Sequence, residues 1–75
     1  MLAKILRVDV HYDHIVVRVT GTSYTASFCK TADCHLLARY LPPKSDHRAP
    51  MSQREFIGYA WQMANGKARE LGWIV

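Results

Sequence analysis

The chain has 75 residues, of which 49% are hydrophobic and 21% are charged. This composition indicates one globular domain, residues 1–75, and it excludes a disordered chain. A chain of this length buries only a small core and has little room for a ligand cavity of roughly 300–1,000 Å³, so we expect no enzyme activity. Ten Lys and Arg against six Asp and Glu give a formal charge of +4. This excess suits an acidic partner, either nucleic acid or an acidic protein surface.

The chain carries no sign of membrane insertion or secretion. It has no run of about 18 apolar residues, which a membrane-spanning helix would need. The segment Met1–Lys4 lacks the apolar core of a secretion signal. Two cysteines, Cys29 and Cys34, are too few for a disulfide framework. We therefore predict a cytoplasmic protein with reduced thiols and no membrane partner.

Residues 3–11, 14–21 and 24–30 predict an antiparallel three-stranded β-meander, because their apolar residues alternate with polar ones. Turns at Tyr12-Asp13 and Thr22-Ser23 place the apolar residues on one face. The predicted facing pairs are Leu6–Val19, Val8–Val17 and Val10–Ile15 across the first turn, and Val19–Ala26, Val17–Phe28 and Gly21–Tyr24 across the second. The other face is mostly polar, with an apolar spot at Val16 and Cys29.

Residues 32–41 predict a short helix. Thr31 is suited to the N-cap, Asp33 to the first turn, and Pro42 to the end of the element. A fourth strand at residues 35–41 is the competing interpretation, because a short apolar run does not distinguish helix from strand.

Residues 42–50 form a polar, proline-bounded loop, and residues 53–71 predict a long C-terminal helix. Ser52 and Glu55 match a capping box, and Gly72 suits the left-handed position after the helix. The apolar side of this helix is predicted to pack across the Leu6-Val17-Phe28 face. Alanines recur on it every four residues, with larger side chains at the margins. This arrangement predicts that Tyr24, Trp61 and Trp73 are buried and that Tyr12 and Tyr59 are exposed.

Exposed basic residues are the candidate binding groups. Arg54 and Arg69 lie on the polar stripe of the long helix, and Lys44 and Arg48 lie in the loop before it. Such side chains contact phosphates and base edges, although a solvated helix face has the same composition. An alternative patch comprises Arg7 and Arg18, which the meander places opposite each other on the polar sheet face, with Asp9 diagonal to Arg18. Tyr59 is a candidate interface anchor.

The chain shows no pattern that predicts catalysis or cofactor binding. One set of residues resembles a metal-binding pattern: Cys29, Cys34, His35 and His47. Zinc sites, however, use more closely paired ligands in the sequence. Cys34 and His35 are adjacent, so on a helix they would not face each other as a nucleophile and its base. We therefore predict no catalytic residues, no metal and no cofactor.

Together these patterns predict an α+β fold and a small non-enzymatic binding module. The first hypothesis is nucleic-acid binding or regulation through the basic residues of the C-terminal helix and the preceding loop. The second is a protein-binding inhibitor or adaptor, for example from a phage or another mobile element. In that case the edge of the first strand or the outer sheet face would serve as the contact surface or as a homodimer interface.

Overall fold

The computed structural model describes residues 6–74, which form an α+β fold with a sheet in one layer and a helix in the other. The four strands are β1 (Leu6–His11), β2 (His14–Val19), β3 (Thr25–Lys30) and β4 (Leu36–Tyr40), and the helix α1 is Gln53–Glu70. The strands form one antiparallel sheet in the order β1-β2-β3-β4. The predicted class is confirmed, whereas residues 3–5 of the predicted first strand lie outside the described part of the chain.

The first hairpin has the predicted register. Val8 lies opposite Val17 and Leu6 opposite Val19 across the turn at Tyr12-Asp13. Tyr12 adopts a left-handed conformation, with φ at 57°, and its side chain is 99% exposed. A two-residue hairpin turn commonly needs a positive φ, which matches the right-handed twist of the strands. Here a tyrosine adopts it.

The second hairpin pairs two residues away from the predicted register. Val17 lies opposite Ala26, not Phe28, and Phe28 lies opposite Ile15. The turn is longer than predicted because the Thr22 hydroxyl donates to the Val19 carbonyl (3.0 Å) and accepts from the Tyr24 N–H (3.1 Å). A shift of two residues keeps every side chain on its predicted face, since the side-chain period of a strand is two.

Residues 36–40 form strand β4 beside β3, so the predicted short helix at 32–41 is wrong and the competing strand is correct. Thr31, the predicted N-cap, closes a hairpin instead, because its N–H donates to the His35 carbonyl (2.9 Å). A helix over residues 32–41 would have about three turns, which is marginal in water. Pairing with β3 satisfies backbone groups on both strands, which favours the strand.

Helix α1 has both predicted end signals. The Glu55 N–H donates to the Ser52 Oγ (3.2 Å), and the Ser52 N–H donates to a Glu55 carboxylate oxygen (2.9 Å). At the other end Gly72 has φ at +76°, and the Trp73 N–H donates to the Ala68 carbonyl (2.8 Å). These contacts define a capping box and a Schellman motif, so both ends of the helix are fixed.

The core lies between β1–β3 and the alanine stripe of α1. Ala60, Ala64 and Ala68 are fully buried, as are Ile15 and Val17. The helix packs mainly on β2, with smaller contacts to β1 and β3. Within residues 6–74 no helix combines the length and hydropathy needed to cross a bilayer. The alanine stripe therefore brings the helix close to β2.

The core position of Val17 yields a direct test of this packing. We expect Val17→Asp to abolish cooperative folding, because an unpaired carboxylate at a fully buried site costs more than about 4 kcal/mol. Thermal unfolding followed by circular dichroism measures this.

The matched control is Thr25→Asp, which places the same side chain on the outer face of the sheet opposite Arg18. We expect the control to cost about 1 kcal/mol or less, because its charge stays solvated and faces a cation. A cooperative melt of Val17→Asp at the wild-type temperature would contradict the packing of α1 on this face.

Candidate functional site

A cleft of about 300 Å³ lies between α1 and the loop that joins β3 to β4. The inner face of β4 is covered only at its start: Leu36 is buried, whereas Ala38, which shares that face with its register partner Phe28, is exposed. The residues that line it are Asp33, Cys34, His35, Leu36, Trp61, Asn65, Arg69 and Ile74.

The loop wall of the cleft is a tight hairpin turn. The Cys34 N–H donates to the Thr31 carbonyl (3.2 Å), and the Thr31 hydroxyl lies 3.2 Å from the His35 carbonyl. Cys34 is exposed and has φ at 62°, a conformation that is uncommon for any residue except glycine. These contacts stabilise the turn whose residues form the loop wall of the cleft.

The helix wall consists of Trp61, Asn65 and Arg69, which follow one another at four-residue intervals. Trp61 is 45% exposed, and its ring centroid lies 5.8 Å from that of Phe28 at an interplanar angle of 57°. The Asn65 Nδ2 donates to the Trp61 carbonyl (2.8 Å), which leaves the Asn65 Oδ1 able to accept. The wall thus combines an aromatic surface, an acceptor and an exposed guanidinium.

Among the described residues, the cations at this end of the molecule include Lys30, Lys67 and Arg69, and the carboxylates include Asp33 and Glu70, which lies 3.7 Å from the Lys67 Nζ. Lys30 lies opposite Leu36 in the register, so it shares the face and the end of the sheet that border the cleft. Arg69 is exposed on the helix wall, and Asp33 is the acidic residue of the lining. Cations therefore border the cleft, and the oxygen acceptors in its lining can receive hydrogen bonds from a ligand's N–H groups.

The loop before α1 is fastened at several points, with Asp46 at the centre. One Asp46 carboxylate oxygen accepts from the Ser23 N–H at 2.7 Å, and the Asp46 N–H donates to the Tyr24 hydroxyl at 3.0 Å. That hydroxyl donates in turn to the Met51 carbonyl (3.1 Å). Since Asp46 and Tyr24 are both buried, these bonds tie the loop firmly to the second hairpin.

Arg48 is paired with Asp46 through two bonds, Nε to Oδ1 at 3.0 Å and an Nη to Oδ2 at 2.8 Å. Hydrogen bonds lower the pKa of the Asp46 carboxyl well below its ordinary 3.8. The Arg48 guanidinium has the largest effect, and the N–H groups of Ser23 and Arg48 add smaller ones. The same pairing raises the pKa of Arg48. A second concavity, of about 410 Å³, lies here and includes Lys44. The Asp46 carboxylate and the Arg48 guanidinium in this concavity are already paired with each other.

The predicted basic residues do not form one patch. Lys44 and Arg54 lie at the start of α1, because their neighbours Ser45 and Gln53 are joined by a hydrogen bond of 3.0 Å. Arg69 lies at the far end of the helix, beside the cleft. Among residues 6–74, no ion pair within 4.0 Å involves these three cations.

Arg7 and Arg18 lie on the sheet face opposite α1, where they face each other in the register as predicted. An Arg18 Nη lies 3.7 Å from an Asp9 carboxylate oxygen, so the predicted diagonal partner is present. Both arginines are exposed. This alternative patch is thus separated from the helix by the thickness of the sheet.

Two aromatic residues differ from prediction. Trp61 was predicted to be buried but is half exposed in the cleft, whereas Tyr59 was predicted to be exposed but packs half-buried against the core. The helix packs mainly on β2, and its flank bearing Trp61 is left partly uncovered. The sequence pattern also missed that His35 lines the cleft together with Arg69, because it placed residues 32–41 in a helix. The turn-forming composition of Thr31–Asp33 is the signal that favours a hairpin there.

The four metal-ligating residue types do not converge. His47 lies in the loop beside Ser23, at the end of the sheet opposite the turn that contains Cys34. In the described part of the chain, no three His, Cys, Asp or Glu side chains are grouped to hold a metal ion. Comparison of the chain with protein-family models, with curated proteins and with solved structures gives no match.

The pairing of Asp46 predicts acid sensitivity. The pKa of its carboxyl is lower in the folded state than in the unfolded chain, so below the ordinary 3.8 unfolding takes up a proton. The stability that this carboxylate contributes is therefore complete well above that pH and is lost as the pH falls toward the folded value. We expect Asp46→Asn to be less stable at neutral pH and to take up about one proton fewer on unfolding in acid.

Urea unfolding between about pH 6 and pH 2 measures this difference, because the slope of stability with pH gives the proton uptake. Asp33→Asn, which removes an exposed carboxylate at the other end of the sheet, is the matched control and should keep the wild-type slope. An Asp46→Asn profile parallel to the wild-type profile would contradict the pairing.

Proposed function

We propose that this chain is a small non-enzymatic nucleic-acid-binding or regulatory module, which binds through α1 and the loop before it. The observation that carries the proposal is that Arg54, Arg69 and Lys44 are exposed cations without a carboxylate partner among the described residues. A formal charge of +4 supports the same class of ligand. Cations of this kind bind phosphates without regard to sequence, so the primary contact is with the backbone.

The geometry of α1 suits a polymeric anion. Arg54 and Arg69 are fifteen positions apart on one rigid helix, which separates them by about 22 Å along its axis and by about 60° around it. Phosphates follow each other every 3.4 Å along one strand of a duplex, so this spacing spans several of them. A single small anion could not contact both arginines, whereas a nucleic-acid strand can.

The acidic residues of the helix do not cancel this surface. The Glu55 carboxylate accepts from the Ser52 N–H in the capping box, and that of Glu70 lies 3.7 Å from the Lys67 Nζ. Each glutamate follows an arginine in the chain, so it projects about 100° away around the helix. The arginine flank therefore remains net positive.

The salt dependence of binding tests the proposal. We expect the chain to bind a duplex oligonucleotide with a log–log salt slope of about −0.9 for each phosphate that it neutralises. Arg54→Gln and Arg69→Gln should each reduce the magnitude of the slope by about one such unit, measured by fluorescence anisotropy of a labelled oligonucleotide.

Arg7→Gln and Arg18→Gln are the matched controls, because they remove the same charge from the opposite face of the sheet. Unchanged binding in both controls supports the helix surface. The assignment to α1 fails if the controls lose binding and the helix variants do not. The absence of salt-dependent binding to DNA and RNA removes the proposal.

A second candidate function, protein binding as an inhibitor or adaptor, is favoured by the outer sheet face. Leu37 and Tyr40 are each 51% exposed and lie opposite Cys29 and Ser27 in the register. Together with Val16 they form an apolar area on a face that carries no helix within residues 6–74. The outer strands β1 and β4 also have unpaired edges among the described residues, which can accept another strand.

Self-association gives a measurable form of this second candidate. We expect a concentration-dependent dimer in analytical ultracentrifugation that Leu37→Glu weakens at least about tenfold, because a charge would enter an apolar contact. Leu71→Glu is the matched control, since Leu71 is 43% exposed but lies at the end of α1. A strictly monomeric protein at high concentration would exclude the homodimer.

A further inference from the structure

We infer that the cleft between α1 and the β3–β4 loop holds one unpaired nucleobase, stacked on Trp61, and that the chain therefore prefers single-stranded to duplex nucleic acid. This inference rests on the proposed function and specifies its ligand. The arginines of α1 account for phosphate contacts in any nucleic acid, but they give no reason for an exposed tryptophan between them.

The stacking surface is Trp61. It is 45% exposed although it is the largest side chain of the helix, and its ring is held from behind by Phe28 at a centroid distance of 5.8 Å. Every base has a π-face, so an aromatic ring held beside a positive strip is a feature of proteins that bind single strands. In a duplex these faces are covered by neighbouring bases, so only an unpaired base can stack there.

The size and polarity of the cleft fit a base better than a larger ligand. Its volume of about 300 Å³ is at the lower limit of ligand cavities, which suits one planar ring system. The Asn65 Oδ1 and the Asp33 carboxylate supply acceptors beside the ring, and both can receive an N–H group from the edge of a base. A carboxylate in the lining disfavours a phosphate inside the cleft itself.

The phosphates lie outside the cleft, at its cationic border. Arg69 follows Trp61 by eight positions, or about 12 Å along α1, and Lys30 borders the same end of the sheet. A strand whose base enters beside Trp61 can therefore place a neighbouring phosphate near Arg69. Arg54 lies seven positions before Trp61, about 10 Å along α1 in the other direction, and offers a separate phosphate contact.

The test compares a labelled single-stranded 12-mer of DNA or RNA with the matching duplex at one salt concentration. We expect the single strand to bind more tightly and to quench Trp61 fluorescence in the Trp73→Phe background, where Trp61 is the remaining tryptophan. Trp61→Leu keeps an apolar side chain but removes the ring. It should lower single-strand affinity about 5- to 150-fold, the range for loss of one stacked base, without changing the salt slope.

Trp61→Phe retains a smaller ring and should keep most of the affinity. Tyr59→Leu is the matched control: it removes an aromatic ring from the opposite flank of α1, and it also tests the sequence-based assignment of Tyr59 as an anchor. Thermal melts of each variant separate lost packing from lost stacking. If Trp61→Leu fails to fold, the fluorescence quenching of Trp61 and the affinity of Trp61→Phe decide whether a base stacks on this ring.

The outcomes separate the two proposals. Equal binding of duplex and single strand, with Trp61→Leu unaffected, overturns the base-stacking cleft and leaves phosphate binding by α1 intact. Equal losses in Tyr59→Leu and Trp61→Leu also overturn it. Absence of binding to both oligonucleotides removes the proposed function and this inference together. Trp61 quenching that depends on protein concentration alone would assign the cleft to a second copy of the chain.

Discussion

The close approach of α1 to strand β2 determines the rest of the structure. Ala60, Ala64 and Ala68 present only methyl groups to the sheet, so the helix backbone can lie near it and all three are fully buried. A helix is about 10 Å wide and strands lie about 4.8 Å apart, so one helix cannot cover four strands. Centred on β2, it leaves Ala38 of β4 exposed, and the cleft beside Trp61 lies between the helix and the β3–β4 loop.

The same helix is fixed at its ends by contacts that also position the candidate binding groups. The capping box sets its first turn, and the Asp46–Tyr24 hydrogen bonds attach the preceding loop to the sheet. The Schellman motif at Gly72 sets the other end, next to Arg69. Basic side chains on such an element keep their spacing, so a polymeric ligand meets a preformed surface and little ordering is needed on binding.

Local sequence patterns predicted which side chains of each strand and helix are buried better than they predicted which residues and strands pair. Alternation placed Val17 and Phe28 in the core, and end signals placed α1 within one residue of its observed bounds. The register of the second hairpin depended on hydrogen bonds of the Thr22 hydroxyl. The alternation of apolar and polar residues does not show such bonds. Residues 36–40 form strand β4 because the edge of β3 was free to pair with them. This is an effect of tertiary context, which local patterns do not show. The exposure of Trp61 was not predictable from the helix pattern, because periodicity shows which flank is apolar but not how much of it the sheet covers.

The two candidate surfaces lie on opposite sides of the sheet, and this arrangement decides how they can combine. The proposed phosphate and base contacts involve α1 and the cleft, whereas the apolar area around Leu37 and Tyr40 is on the outer face. Two copies joined through their outer faces would form a four-layer particle with a helix on each outside layer. Both clefts would then stay accessible, so self-association would not compete with nucleic-acid binding. Two tethered sites would instead raise the apparent affinity for a strand long enough to reach both.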